Sequence, residues 1–326
     1  MVGEASEAMP QSPWVSVIIP AYNGSSTIGR TLDSVSQQSW RNLEIIVVDD
    51  GSTDDTAAIV TAYSTQDPRV RLLQIPNGGV AGARNAGIAA ATHELIAPVD
   101  ADDLWHPRKI EQQVKAWEET GRKAALVYCW FVVIDENDFV IYRGSRNMHS
   151  GDVLQRMCLG NMIGNGSTPM MLKSVVLEAG GYDPGLRAQG AQGCEDLKLY
   201  IAIAEKYHYA VAPHYLAGYR ETPQSMSSDG MRMLRSYDLV MQPMAQRHPE
   251  YAAEFRQGRI YLTQWLLEKA AFYGTYPQLK TMFAEHCRPS ARLYLPGLML
   301  VAKMVRKRFI RRPRRLHFRD LQDSAL

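Results

Sequence analysis

The run Pro98-Val99-Asp100-Ala101-Asp102-Asp103 brings three carboxylates to the end of an apolar stretch, Glu94 to Val99. The stretch reads as a buried strand, so the acids lie at a strand's carboxyl end. Carboxylates crowded there repel one another and are costly to desolvate. A divalent cation removes both penalties. Mg2+ and Mn2+ take oxygen ligands and share them with substrate phosphates. Open α/β sheets bind ligands at this end of their strands. The run therefore points to a metal–diphosphate site.

Other clusters could serve the same site. Val17-Ile18-Ile19-Pro20-Ala21-Tyr22-Asn23 ends an apolar run with an aromatic and an amide. A planar base could stack on Tyr22, or the tyrosine could pack as a strand cap. Val47 to Asp54 places Asp49 and Asp50 at another run's end, before Gly51 and Ser52. A carboxylate there can accept a base N–H or a ribose hydroxyl, while Ser52 or Asp54 caps the next helix. Gly78-Gly79-Val80-Ala81-Gly82-Ala83-Arg84-Asn85 opens a helix. Such a start suits an anion, and Arg84 can add charge-assisted bonds. The same glycines also suit a tight strand-to-helix corner. Glu195 and Asp196 follow a Gly- and Gln-rich stretch. One of them could be a general base, or both could offset a helix dipole.

These residues need a regular frame. Apolar runs at 15–19, 43–48, 70–75 and 95–99 alternate with helical segments at 26–38, 54–63 and 78–91. That alternation predicts βαβ units and a parallel sheet. A further helix is expected at 107–119, a long buried strand at 124–134 and a short strand at 170–172. Residues 161–169 are small and polar, 180–185 form a turn, and 186–193 read as a mobile loop. A helix follows at 195–206, and the pattern is helical from Asp229 onward.

The motifs and their order resemble the family 2 glycosyltransferases, inverting enzymes with the GT-A fold. The resemblance runs from Val15 to about Ser228. It is carried by Val-Ser-Val-Ile-Ile-Pro-Ala-Tyr-Asn at 15–23, Ile-Val-Val-Asp-Asp-Gly-Ser-Thr-Asp at 46–54, Ala83-Arg84-Asn85-Ala86-Gly87, Asp100-Ala101-Asp102-Asp103, Glu195-Asp196, and Tyr219-Arg220 with Ser225-Met226-Ser227. It implies a mixed, mostly parallel sheet flanked by helices, with a C-terminal helical extension. It also implies roles. Tyr22 and Asp50 hold the nucleotide base, and Asp49 and Arg84 line the same pocket with Ala21, Asn23 and Ala101. Asp100 lies near the ribose or metal, and Asp102 coordinates Mn2+ or Mg2+ on the donor diphosphate. Asp196 is the base, with Glu195 beside it, and Arg220 approaches the diphosphate from a loop that orders on donor binding. The implied donor is a nucleotide sugar, by default a UDP-sugar. The implied acceptor is a glycan or lipid-linked hydroxyl in cell-surface polysaccharide synthesis. No Gln-x-x-Arg-Trp motif is present, against a processive synthase. A nucleotidyltransferase would need a basic phosphate loop, which Ala21 to Ser25 does not supply. A catalytically inactive sugar-nucleotide-binding protein is the other alternative.

The organisation expected is a disordered tail at 1–13, a transferase domain at 14–228 divided near 105, and a helical extension at 229–326. The 326 residues are 46% hydrophobic and carry a net charge of +2. Residues 303–315 hold eight of the Lys and Arg and no acid, which leaves −6 for the remainder. Residues 295–315 interleave these cations with Leu298, Val301, Val305, Phe309 and Ile310. Such a segment could lie on an anionic membrane surface or pack on the catalytic domain. Nothing in it suggests nucleic-acid binding. Four scattered cysteines suggest reduced thiols in a cytosolic protein. The first 13 residues lack a signal-peptide pattern, and no run reaches the ~18 apolar residues of a membrane span.

Overall fold

The computed structural model describes residues 12–222, 225, 228–273, 275–282, 284 and 316–321. The chain begins with β1 (Val15–Ala21), α1 (Ile28–Ser36), β2 (Leu43–Asp49), α2 (Thr56–Ser64), β3 (Val70–Gln74), α3 (Val80–Ala90) and β4 (Leu95–Pro98). It continues through β5 (Leu104–Trp105), α4 (Lys109–Glu119), β6 (Leu126–Ile134), β7 (Val140–Arg143), α5 (Leu154–Cys158), β8 (Met170–Leu172), α6 (Lys173–Glu178), α7 (Gly185–Ala188), α8 (Glu195–Ala204) and β9 (Tyr209–Arg220). Three helices follow, α9 (Gly230–Arg247), α10 (Ala252–Tyr273) and α11 (Tyr276–Met282).

The strands form one sheet in the order β3-β2-β1-β4-β8-β6-β9-β5, with β7 also on β6. The first four are parallel, and β6 runs parallel to β9. Only β5, β7 and β8 run the other way. The sheet is thus mixed and mostly parallel: its first half is the parallel sheet the alternation predicts, and the mixed whole is what the family resemblance implies.

Each face of the sheet carries a core. Val15, Val17 and Ile19 of β1 point to one face, against Ile28 and Leu32 of α1 and Ile110 and Val114 of α4. Ile18, Ile46 and Ile96 point to the other, against α3, α5, α6 and α8. Helices on both faces leave no polar side for these strands, which is why they read as unbroken apolar runs. Gly87 lets α3 lie close on the sheet, because a Cβ there would stand 2.5 Å from Ile18 Cγ2.

The structure departs from the sequence reading in several places. β9, the longest strand, was not anticipated. Its Pro213, His214 and Gly218 break the strand pattern, and its pairing with β6 shifts register around Trp130. β5, β7, α5 and α6 were also missed, each six residues or shorter. The segment 186–193 begins inside the helical turn α7. Ser12 and Pro13, assigned to the expected N-terminal tail, are tied to the domain, since their carbonyls accept hydrogen bonds from Asn42 Nδ2 and Trp40 Nε1.

The helical part shares the core of the α8 face through Leu234, Tyr237 and Val240 of α9 and Leu266 and Leu267 of α10. Residues 316–321 return to the sheet, where Phe318 and Leu321 pack on Leu104, Val132 and Ile134. Residues 1–11, Met226, Ser227 and the segment 295–315 lie outside the described residues. No described helix is long and apolar enough to cross a membrane.

Candidate active site

The carboxyl ends of β1, β2 and β4 carry loops that fasten to one another. Asn23 has φ of 49°, donates its N–H to Ser52 Oγ at 2.9 Å and accepts the Thr53 N–H on Oδ1 at 2.8 Å. The Gly24 and Ser25 amides donate to Thr56 Oγ1 and Asp54 Oδ2. Ser52 therefore latches the β1 loop rather than capping α2; Asp54 latches it too and accepts the Thr56 N–H at the helix start, while Asp55 holds the N-cap position. The Ala21 carbonyl accepts the Asp50 N–H, and the Ala101 carbonyl accepts the Thr31 hydroxyl. Tyr22 stands 54% exposed above these latches, an open face for a flat ring.

Asp49 and Asp50 are buried and saturated. Asp49 accepts the Ser52 N–H and Gln74 Nε2. Asp50 accepts the Gly78 N–H at 2.7 Å on Oδ1 and the Gly79 N–H at 2.8 Å on Oδ2. The anion held at the start of α3 is thus Asp50 itself. Of the two readings of Gly78–Gly79, an anion site or a tight corner, the structure combines both, with the anion supplied from within the chain. Arg187, which the sequence reading passed over, lies across Gly79 and donates to Asn77 Oδ1 at 2.7 Å.

The three aspartates after β4 are not equivalent. Asp103 is fully buried and accepts the Arg220 N–H at 2.7 Å and the Ser167 hydroxyl at 2.5 Å. Burial, then the charges of Asp102 and Asp100, push its carboxyl well above the usual range. Asp100 pairs with Arg84, Nη2 to Oδ1 at 2.5 Å. Among the described residues the Asp102 carboxylate makes no ion pair. Its carboxyl is pushed up to about 6 by burial and by Asp100.

Among the described residues no three His, Cys, Asp or Glu side chains gather as a ready metal cage. The donor set nevertheless fits Mg2+ or Mn2+, which are usually held by one or two carboxylates plus substrate phosphates. Asp102 supplies an uncompensated hard oxygen. The sequence reading paired Asp100 with Asp102 as a ligand, but Asp100 is neutralised by Arg84.

Arg84 lies beneath this turn, 5% exposed, with its guanidinium over the Tyr182 ring at 5.0 Å. Burial works against its charge, and the Asp100 carboxylate more than offsets that, so the group is held above its ordinary value. Gly166 makes room for it, because a Cβ there would stand 2.3 Å from Arg84 Nη2 and 3.4 Å from Asp100 Oδ2. Arg84 thus serves Asp100 rather than a pocket wall beside Tyr22.

Arg220 also differs from the expectation. It ends β9, is 3% exposed, and donates from Nε to the Asp102 carbonyl at 2.7 Å. Its remaining nitrogens hold the Asp135 carbonyl and Asp138 Oδ1, which Arg30 also grips at 2.8 Å. A guanidinium so engaged braces the aspartate turn. It is not a free cation on a mobile loop, because its partners on the β6–β7 turn are already buried around it.

At the start of α8, Glu195 is 4% exposed and accepts the Gly193 N–H at 2.8 Å. Asp196 is half-buried and accepts the Leu197 N–H at 2.7 Å and Asn161 Nδ2 at 3.2 Å. Burial pushes its carboxyl up to about 6, against the opposing pull of Arg84. A carboxyl raised in this way titrates nearer neutrality than an ordinary one, as a general base requires.

The segment 161–168 ties these parts together, and the sequence reading gave it no role. Ser167 Oγ accepts the Asp100 N–H and donates to Asp103, Gly166 admits Arg84, and Asn161 reaches Asp196. A run of small polar residues before a short strand was the only sequence signal available.

Comparison with known proteins bears on the family and the fold. Residues 16–181 match the model of Glycosyl transferase family 2, about half of the chain. An uncharacterized glycosyltransferase of Rickettsia prowazekii is 37% identical over 131 residues, 40% of this chain and 40% of that protein. The glycosyltransferase GlyG of Streptococcus pneumoniae is 38% identical over 132 residues, 40% of this chain and 43% of that protein. The match thus spans about two fifths of these relatives' length. Among solved structures, the mannosyltransferase PcManGT of Pyrobaculum calidifontis, in complex with GDP-Man and Mn2+, has a TM-score of 0.58 at 20% identity, covering 92% of this chain and 85% of that one. S. aureus TarS 1–349 in complex with UDP-GlcNAc has a TM-score of 0.57 at 17% identity, covering 90% and 81%. These two likenesses establish a shared GT-A architecture.

Proposed function

The chain belongs to glycosyl transferase family 2, and from that premise we propose that it transfers a sugar from a nucleotide sugar to an acceptor hydroxyl with inversion. The observation that carries this reading is the split among four acids. Asp100 and Asp103 are engaged by Arg84, Ser167 and Arg220, whereas Asp102 has no ion pair among the described residues and Asp196 keeps a carboxyl titrating at about 6.

Tyr22 offers the stacking face for the base. Asp102 would hold Mn2+ or Mg2+, whose charge would offset that of the donor diphosphate. Arg84 and Arg220 hold the aspartate turn in shape from either side. Asp196 accepts the acceptor hydroxyl's proton on its carboxylate as the hydroxyl oxygen bonds the anomeric carbon and the nucleoside diphosphate leaves with the electron pair of the broken C–O bond. One base on the acceptor side suits a single in-line displacement, whereas a glycosidase needs flanking carboxyl groups on both sides of the bond. UDP is the default nucleotide. PcManGT and TarS, with GDP-Man and UDP-GlcNAc, show that the same architecture takes either nucleotide. We assign residues 14–105 to the donor side, 106–228 to the acceptor side and 229–326 to the helical extension. The acceptor assigned is a glycan or lipid-linked hydroxyl in cell-surface polysaccharide synthesis.

Calorimetry of UDP and Mn2+ binding tests the core of this reading. The intact chain binds UDP more tightly with Mn2+ present, and Asp102→Ala loses that difference. Unchanged metal dependence in the variant would move the site away from Asp102.

A peripheral location at the inner face of the membrane is proposed for the basic segment. The Val140 N–H donates to the Leu316 carbonyl at 2.8 Å, which fixes where this segment ends on the sheet. Arg311, Arg312, Arg314 and Arg315 directly precede that residue in the sequence. Each cation near an anionic surface contributes about 1 kcal/mol. Changing these four to Gln should abolish sedimentation with phosphatidylserine vesicles at low salt while leaving UDP binding intact. Truncation is the poorer test, since it also removes Phe318 and Leu321 from the core. Equal sedimentation of both forms removes the membrane assignment.

A further inference from the structure

We propose that Asn161 is a positioning residue for the base Asp196, holding its carboxylate aimed and ionised; this rests on the reading of Asp196 as the base. The Asn161 side chain can have only one orientation. Its Oδ1 accepts the N–H groups of Ile163 and Gly164, each at 3.1 Å. Those two donors require the oxygen, so Nδ2 must face Asp196, and it lies 3.2 Å from Oδ2. The other carboxylate oxygen accepts the Leu197 N–H at 2.7 Å. One oxygen is thus tied to α8 and the other to the 161–168 segment, which fixes the plane of the carboxylate.

The chemistry of an amide suits this place. It donates a hydrogen bond yet cannot titrate near neutral pH, so it orients the base without competing for the proton. A bond donated to the charged form favours that form and opposes the burial that raises the carboxyl. The other groups around Asp196 are Arg84 from α3, Asp100 from the end of β4, Tyr182 from the turn before α7, and Cys194, Glu195 and Tyr200 on or beside α8. Arg84 favours the ionised carboxylate, while Glu195 and Asp100 disfavour it. The segment that carries Asn161 also places Ser167 on Asp100 and Asp103. One short run of chain therefore sets the base and the aspartate turn relative to each other.

Asn161→Asp tests the idea with little change of shape. An Asp oxygen still accepts the Ile163 and Gly164 amides, so the segment keeps its fold. The group facing Asp196 changes from donor to carboxylate. The assay is release of nucleoside diphosphate from UDP-GlcNAc or GDP-mannose with Mn2+ and water as acceptor, across pH 5–9. Asn161→Asp should lower kcat at pH 7 by about 10- to 100-fold. It should also move the acid limb of kcat up by a pH unit or more, with donor KM within twofold of the parent. Asn161→Ala should move the limb in the same direction by less. A 13C-carboxyl titration, with the Asp196 signal assigned from Asp196→Asn, should show the same rise in midpoint and covers the case of slow hydrolysis. Parental kcat, acid limb and midpoint in Asn161→Asp overturn the proposal, as does a change confined to donor KM. Full turnover in Asp196→Asn would overturn the base assignment itself. An inactive Asp196→Asn beside an unaltered Asn161→Asp would sink only the role given to Asn161.

Discussion

The two edges of the site treat their carboxylates in opposite ways. At the end of β2, Asp49 and Asp50 are saturated, each with a hydrogen bond on both oxygens from backbone or amide groups. At the other edge, Asp102 makes no ion pair among the described residues, and Asp196, although hydrogen-bonded on both oxygens, stands near Glu195 and Asp100; burial and these like charges push both carboxyls up to about 6. Saturated carboxylates build loops, because backbone amides fix them in one place. Carboxylates whose charge is opposed by burial and by neighbouring acids are held in a costly state that a metal, a proton or a substrate can relieve. The contrast predicts which acids matter for stability and which for turnover.

The largest effect should follow from removing a reacting acid. Asp196→Asn should lower kcat by roughly 10²–10⁴ with donor affinity unchanged, the usual size of a general-base contribution. In the unaltered chain the base must be ionised, so kcat should rise with pH through about 6. Below that midpoint it should fall about tenfold per unit. A pH–rate profile flat from 5 to 8 would break the comparison at this edge.

A smaller effect, on folding instead, should follow at the saturated edge. Asp50→Ala leaves the Gly78 and Gly79 amides without their acceptor. Each such bond to a charged group contributes about 1.5–3 kcal/mol, so a loss of about 2–4 kcal/mol is expected in urea denaturation once solvent access to Gly78 is allowed for. Asp102→Ala should cost under about 1 kcal/mol by the same measurement, because it removes a poorly compensated charge. Equal losses in the two variants would erase the distinction between building and reacting acids.

The smallest effect tests the brace between the edges. Gly166→Ala drives a methyl into the Arg84 guanidinium, which is buried and paired with Asp100. Overpacking of this kind costs about 1–3 kcal/mol. The variant should fold, lose part of its stability and bind UDP with Mn2+ less tightly, as the Asp100 end of the turn shifts. Calorimetry that finds parental affinity would show that Arg84 and Asp100 do not shape the donor site.

Much of the frame was legible in advance. β1, β2 and β4 lie between two helical layers, so nearly every residue in them is apolar and the strands announce themselves. The acids and Tyr22 stand at those strand ends, where open sheets bind ligands. β9 was not legible, because Pro213, Gly218 and a shifting register with β6 leave it no period to recognise. The segment 161–168 was equally silent. Ser167 meets Asp103 across 64 positions and Asn161 meets Asp196 across 35, and no local pattern encodes such meetings.

The sequence alone determined the family, the order of strands and helices on the donor side, and which acids gather at the sheet's edge. These follow from local composition and from motif order, which survive without coordinates. Tertiary structure decided what each acid does. Arg220 became a brace because Asp138, 82 positions away, was there to receive its guanidinium. Asp50 became the anion of its own helix start because Gly78 and Gly79 folded back onto it. Asp102 was left without an ion pair because no cation among the described residues bonds its carboxylate. Residue type sets what a carboxylate can do; burial and the partners that long-range packing supplies set what it does do.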